Sequence, residues 1–133
     1  MTKIASEPVV VNAQPTAVFA FLSDINNIRS LLPQDRISDW KSDGTSCSFK
    51  VQNAYSITLV QNGGVQHSSI RWLSGKGSPF EFSLEALLVP EGSGTRGQLV
   101  CDAKLNPFLE MMVRSPLKNL FDYMAGRLQQ QFV

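Results

Sequence analysis

NPFLEMMVRSPLKNLFDYMAGRLQQQF, residues 106–132, is the longest stretch of this chain with a helical repeat, and its reading decides the fold. Asn106 has the side chain of an N-cap, and Pro107 suits the first helical position, where its missing N–H is no loss. From there Leu109, Met112, Val113, Leu117, Leu120, Phe121, Met124, Leu128 and Phe132 return at three- and four-residue steps, the spacing of one wide helical face. Glu110, Arg114, Lys118, Asn119, Asp122, Arg127 and the glutamines at 129, 130 and 131 fall on the other side. At ~1.5 Å per residue such a helix would measure about 40 Å, enough to lie across a whole domain. Pro116 lies inside it and predicts a kink, because it cannot donate to the Met112 carbonyl. A helix of this kind needs an apolar surface to cover.

Residues 36–105 supply one. Their period changes from near four to two, with turn signals at regular intervals, which is the pattern of an antiparallel meander. Asp43-Gly44 and Asn62-Gly63 read as two-residue hairpin turns, Asn53-Ala54 as a weaker one, and Gly75, Gly77 and Pro79 as a longer connection. With a further turn at residues 91–94, five turns separate six strands. Cys47, Phe49 and Val51, then Tyr55, Ile57 and Leu59, then Ile70 and Trp72 alternate with polar neighbours. Phe80, Phe82, Leu84 and Ala86, then Leu99, Cys101, Ala103 and Leu105, continue the series. One face of the sheet is apolar, and it and the helix stripe must bury each other.

Upstream, Val9, Val10 and Val11 follow Pro8 and read as a first strand. Pro15 starts a short helix with Val18, Phe19 and Leu22, and Asp24 caps a second carrying Ile25, Ile28, Leu31 and Leu32, ended by Pro33.

The composition narrows the function classes. The 133 residues fit a single domain, residues 1–133, and are 43% hydrophobic but only 17% charged, against a usual charged share of roughly 25%. That balance favours a large core or a lined cavity. A formal charge of +1, with cations scattered among anions, offers no basic stripe for nucleic acid. No window reaches the ~18 apolar residues of a membrane span, and residues 1–14 lack the apolar core of a signal peptide, so a cytoplasmic soluble protein is expected. Cys47 and Cys101 are expected to be buried, reduced thiols.

The order strand, two short helices, six-stranded meander and long C-terminal helix resembles the helix-grip fold of the START and birch-pollen-allergen-like superfamily, also called SRPBCC or polyketide cyclase-like. The resemblance covers the whole chain and is carried locally by Val9-Val10-Val11 running into PTAVFAFL (residues 15–22) and by Asn106-Pro107 opening the last helix. It implies an α+β fold, β-α-α-β6-α, in which a curved antiparallel sheet of about seven strands grips the long helix around a cavity for a hydrophobic or amphipathic molecule. The glycine-rich loop of the allergen-like branch is reduced here to Asp43-Gly44, so no phosphate-binding role carries over.

The inward rings give the expected site. Phe49, Tyr55, Ile57, Trp72, Phe82 and Leu84 would wall it from the sheet, and Met112, Leu120 and Met124 would close it from the helix, with Tyr55 and Tyr123 as polar handles. The expected partner is a small hydrophobic molecule, a lipid, isoprenoid, quinone or polyketide-like compound, held without a cofactor. His67 alone cannot build a metal site and is expected on the outer face of a strand, as are Asp39, Glu81, Glu85 and Arg71 unless a bulge turns one inward. Two alternatives stay open. A cyclase or dehydratase would need an acid or base inside the cavity, and an interaction module or homodimer would need an exposed apolar groove or strand edge.

Overall fold

The computed structural model describes residues 1–51 and 56–133 of the chain. The weaker turn at Asn53-Ala54 and the candidate Tyr55 lie outside the described residues.

The C-terminal helix, α3 (Pro107–Gln131), begins as its sequence requires: the Asn106 side chain accepts from Leu109 N at 2.8 Å, and Pro107 stands in the first turn. It runs on past Pro116. Its buried stripe is Val113, Leu117, Phe121, Met124, Ala125 and Leu128, the four-residue row that faces the sheet. The periodicity predicted a wider stripe. Met112 is 57% exposed, because a position one residue from Val113 is turned about 100° around the axis. Phe108 and Met111 on the first two turns are exposed as well.

The meander forms β3 (Ile37–Ser42), β4 (Ser46–Val51), β5 (Ser56–Val65), β6 (Ser69–Ser74), β7 (Phe82–Glu91) and β8 (Gly94–Ala103), each antiparallel to the next. Two strands precede it, β1 (Thr2–Ala5) and β2 (Val9–Val11), and both pair with β8, so the sheet has eight strands and not seven. The two are one strand interrupted. Ala5 pairs with Val100 and Val9 with Gly97, so the first strand uses one more residue than β8 where Pro8 withholds a donor. Ser6 fills the gap: its N–H reaches the Leu99 carbonyl at 2.8 Å, and its hydroxyl accepts from Leu99 N at 3.0 Å.

The Asp43-Gly44 turn joins β3 to β4. Asp43 Oδ1 accepts from the backbone N–H of Thr45 at 2.9 Å and of Ser46 at 2.7 Å, and these bonds lower its carboxyl to about 2. The Asn62-Gly63 expectation is corrected. That pair lies inside β5, and the chain turns at residues 66–68, with His67 at φ 65°. His67 therefore sits in a turn and not on a strand face, its ring edge-on to Phe19 at 5.3 Å. The two glycines instead make a bulge. Gln61 pairs with Trp72 and Gly64 with Ile70, three steps against two, and Gly63 and Gly64 take φ of +71° and +129°. A second bulge in β3, at Asp39 with φ 56°, shifts the register between Ser38 and Lys41. Both bend the sheet about α3.

Gly64 also lies against its neighbour strand: a Cβ there would stand 2.4 Å from the Ser69 carbonyl oxygen. Gly64→Ala combines that clash with a left-handed backbone and is expected to lower unfolding free energy by more than ~1 kcal/mol, read as a shifted urea midpoint. Gly63→Ala, with open space around it, should cost less.

Between β2 and β3 the short helices α1 (Pro15–Ser23) and α2 (Ile28–Leu31), linked by a single 3-10 turn at Ile25–Asn27 capped by Asp24, bury Val18, Leu22, Ile25, Ile28, Leu31 and Leu32. They close one end of the layer between sheet and α3. No helix among the described residues is long and apolar enough to cross a membrane.

Candidate functional site

Every residue the alternation placed inward on β4, β6, β7 and β8, and Ile57 and Leu59 on β5, is buried or half-buried on the face toward α3. Where that face meets α3 the packing leaves a cavity of about 20 Å³, room for about one water. Its walls expose no polar surface. The structure places Phe49, Ile57, Phe82, Leu84, Leu120 and Met124 of the expected set around it. Leu59, Phe80, Cys101, Leu117 and Phe121 complete the lining. The first three stand in the same alternating runs, and Leu117 and Phe121 in the helix repeat, so the pattern held the signal without ranking them.

Two expected wall residues fall elsewhere. Met112 is the exposed residue described above. Trp72 is only 1% exposed but does not line the cavity, and its Nε1–H has no partner among the described residues. It stands beside the wall residue Leu84, its register partner across β6 and β7. Tyr123, the second expected handle, is exposed.

The two sides of the cavity differ in burial. Phe49 is 3% exposed and is backed by Trp40, stacked at 6.3 Å, while Leu84 is 2% exposed inside a fully paired β7. Phe80 and Leu120, in contrast, are half-buried, Phe80 on the 75–81 connection with its ring 5.7 Å from Phe82. The cavity thus has a fully buried floor and a half-buried rim.

Apart from the Cys101 thiol, no titratable group among the described residues lines it. Asp39, Glu81 and Arg71 are exposed, Glu85 half-buried, and Glu81 pairs with Lys104 at 3.0 Å. The bulge at Asp39 turns that carboxylate to solvent. Among the described residues no three His, Cys, Asp or Glu side chains gather as a metal site. Cys47 and Cys101 are free and buried, and burial pushes both thiols up to about 12 from an ordinary 9.0. A thiol neutral in the fold but ionised in the unfolded chain draws the equilibrium toward unfolding above the unfolded pKa. Stability should therefore fall as pH rises from about 9 toward 12, and Cys47→Ser with Cys101→Ala should flatten that part of a denaturation-versus-pH profile.

No family model matches the chain, and no curated protein matches it. Solved structures do. The KanY protein superposes with a TM-score of 0.79 at 17% identity, with 99% of each chain covered. XoxI from Bacillus cereus gives 0.77 at 13% identity, with 99% of this chain and 96% of that one covered. A START superfamily protein from Mycobacterium smegmatis gives 0.67 at 17% identity, with 97% and 98% covered. With eight antiparallel strands wrapped on a long terminal helix and these whole-length superpositions, the chain has the helix-grip fold found in START-like proteins.

Proposed function

We propose that the protein binds a small hydrophobic or amphipathic molecule between the sheet and α3, without chemical change to it. The observation that carries this reading is the wholly apolar cavity where a buried sheet wall meets the half-buried Phe80 and Leu120. Ligand pockets are apolar enclosures with few polar groups, and the helix-grip fold commonly provides one. The resting space is about the size of a water, so a ligand enters by displacing side chains. Phe80 and Leu120 swing outward and the thioether of Met124 reshapes, while β4, β7 and β8 hold still. Such a site selects flat or slender molecules, a quinone, an isoprenoid or a medium-chain acid, over bulky ones.

Both tryptophans report on it. Trp40 stacks on the wall residue Phe49, and Trp72 faces the wall residue Leu84. Menadione, farnesol and decanoate are expected to change tryptophan emission saturably at micromolar concentration, and solvent extracts of the protein purified from cells should carry a bound compound visible by mass spectrometry. An empty extract together with linear, non-saturating responses to all three probes would overturn the reading.

A further inference from the structure

A second concavity, of opposite chemistry, lies on the outer surface where α2 meets the end of α3. It has a volume of about 450 Å³ and is lined by Arg29, Ser30, Gln34, Arg127 and Gln131. Two arginines line it, and among the described residues no Asp or Glu does; Asp35, next in sequence to Gln34, is not part of the lining. Neither arginine makes an ion pair among the described residues, whereas Arg114, Lys118 and Lys104 each do. Arg127 Nη1 donates to Gln130 Oε1 at 2.8 Å, but its Nε–H is shut away from solvent without an acceptor. Leaving such a donor unsatisfied is costly, so the arrangement lacks an acceptor among the described residues.

We infer that this groove binds a carboxylate or phosphate group. Arginine presents Nε–H and an Nη–H as a planar fork that matches two oxygens of an oxyanion, and a turn of the last side-chain torsions, open to a half-buried residue, brings the Arg127 fork to the groove. Arg29, exposed on α2, supplies the opposing charge, and the Ser30 hydroxyl and Gln131 amide add neutral donors. Gln34 is held by its amide to the Arg29 carbonyl at 2.6 Å and the Leu32 carbonyl at 2.9 Å, which stiffens the α2 side. The carbonyl end of α3 brings a partial negative charge of about half a unit, well short of the two full positive charges.

The anion has two sources, a free small anion or the headgroup of an amphiphile. Leu31 and Leu128, each next in sequence to a groove residue or one removed, line a small apolar void beneath, of about 10 Å³, together with Met124, which also lines the main cavity. A chain attached to the bound headgroup would enter there by displacing these apolar side chains, and this second source alone rests on the function proposed above.

The test is a titration of the full chain, at constant ionic strength, with acetate, inorganic phosphate, decanoate and decyl phosphate, read on the arginine Nε–Hε resonances. The Arg127 signal is expected to shift saturably with at least one probe, and R29Q or R127Q should weaken that binding about 10-fold to 100-fold, the loss of one charge-assisted contact. Equal affinity for phosphate and decyl phosphate assigns a free anion, and binding by the chain-bearing probes alone assigns a headgroup. An Arg127 signal that no probe moves overturns the inference, as does affinity unchanged in both variants. Decanoate binding that survives both variants places the molecule in the inner cavity, which overturns the groove and leaves the cavity reading standing. R29Q changes an exposed side chain, so it carries the test even if R127Q fails to fold.

Discussion

Leu117→Asp is expected to abolish the cooperative unfolding transition at neutral pH. Leu117 is 3% exposed on the central turn of α3 and forms part of the cavity wall. Truncating such a leucine costs ~2–5 kcal/mol, and a domain of this size holds only ~5–15 kcal/mol in all. Aspartate adds the desolvation of a carboxylate with no partner, since the groups around it are apolar and expose no polar atom. The introduced carboxyl would have its pKa raised by burial, so its destabilising effect is absent below the unfolded value near 4 and grows as pH rises above it. Partial recovery of the native near-ultraviolet signal at pH 4 in Leu117→Asp, but not in Leu117→Asn, is the expected signature. A variant as stable as the parent at pH 7 would mean that α3 is not clamped to the sheet.

Leu120→Trp should act on binding and spare the fold. Leu120 is half-buried at the cavity rim, so a larger ring can settle over the cavity mouth with its polar edge toward water. Overpacking a tight interior costs ~1–3 kcal/mol, but the open side of this position keeps the change near the low end. Uptake of N-phenyl-1-naphthylamine, followed by the dye's own emission so that the added indole does not interfere, should weaken at least about 10-fold, the equivalent of about 1.4 kcal/mol. Leu120→Ala should bind at least as well as the parent. If Leu120→Trp binds the dye as tightly as the parent does, the ligand does not enter between α3 and the sheet.

What the sequence made legible follows from which features have a strict period. Along β4, β6, β7 and β8 an apolar set repeats at every second position, so a facing error would have inverted a whole strand, and the burial of Cys47, Phe49, Trp72, Leu84 and Cys101 came out as read. The helix stripe is looser. Met112 and Val113 both satisfy three- and four-residue spacing, and only the direction of the sheet, a tertiary fact, separates them. Asn62-Gly63 has the chemistry of a hairpin turn, but positive φ serves a bulge equally well, and the pairing of Gln61 with Trp72 decides between the two. β1 went unread because Thr2-Lys3-Ile4-Ala5 is a weak strand former whose partner lies about a hundred residues away in the chain. The Arg29 and Arg127 groove had no local signature at all, since two isolated arginines are brought together only when α2 docks on α3.

The margin of the sheet at β3 has a bearing on how copies of this molecule meet. A straight run of unpaired amides there would invite a foreign strand to prolong the ladder, yet Asp39 breaks the run with its reversed backbone and Lys41 adds an exposed cation two residues on. Lateral growth into filaments is blocked at that border. The exposed Phe108, Met111 and Met112 offer a different route to self-association at high concentration, one that would dissolve on dilution where a fused β-ladder would not.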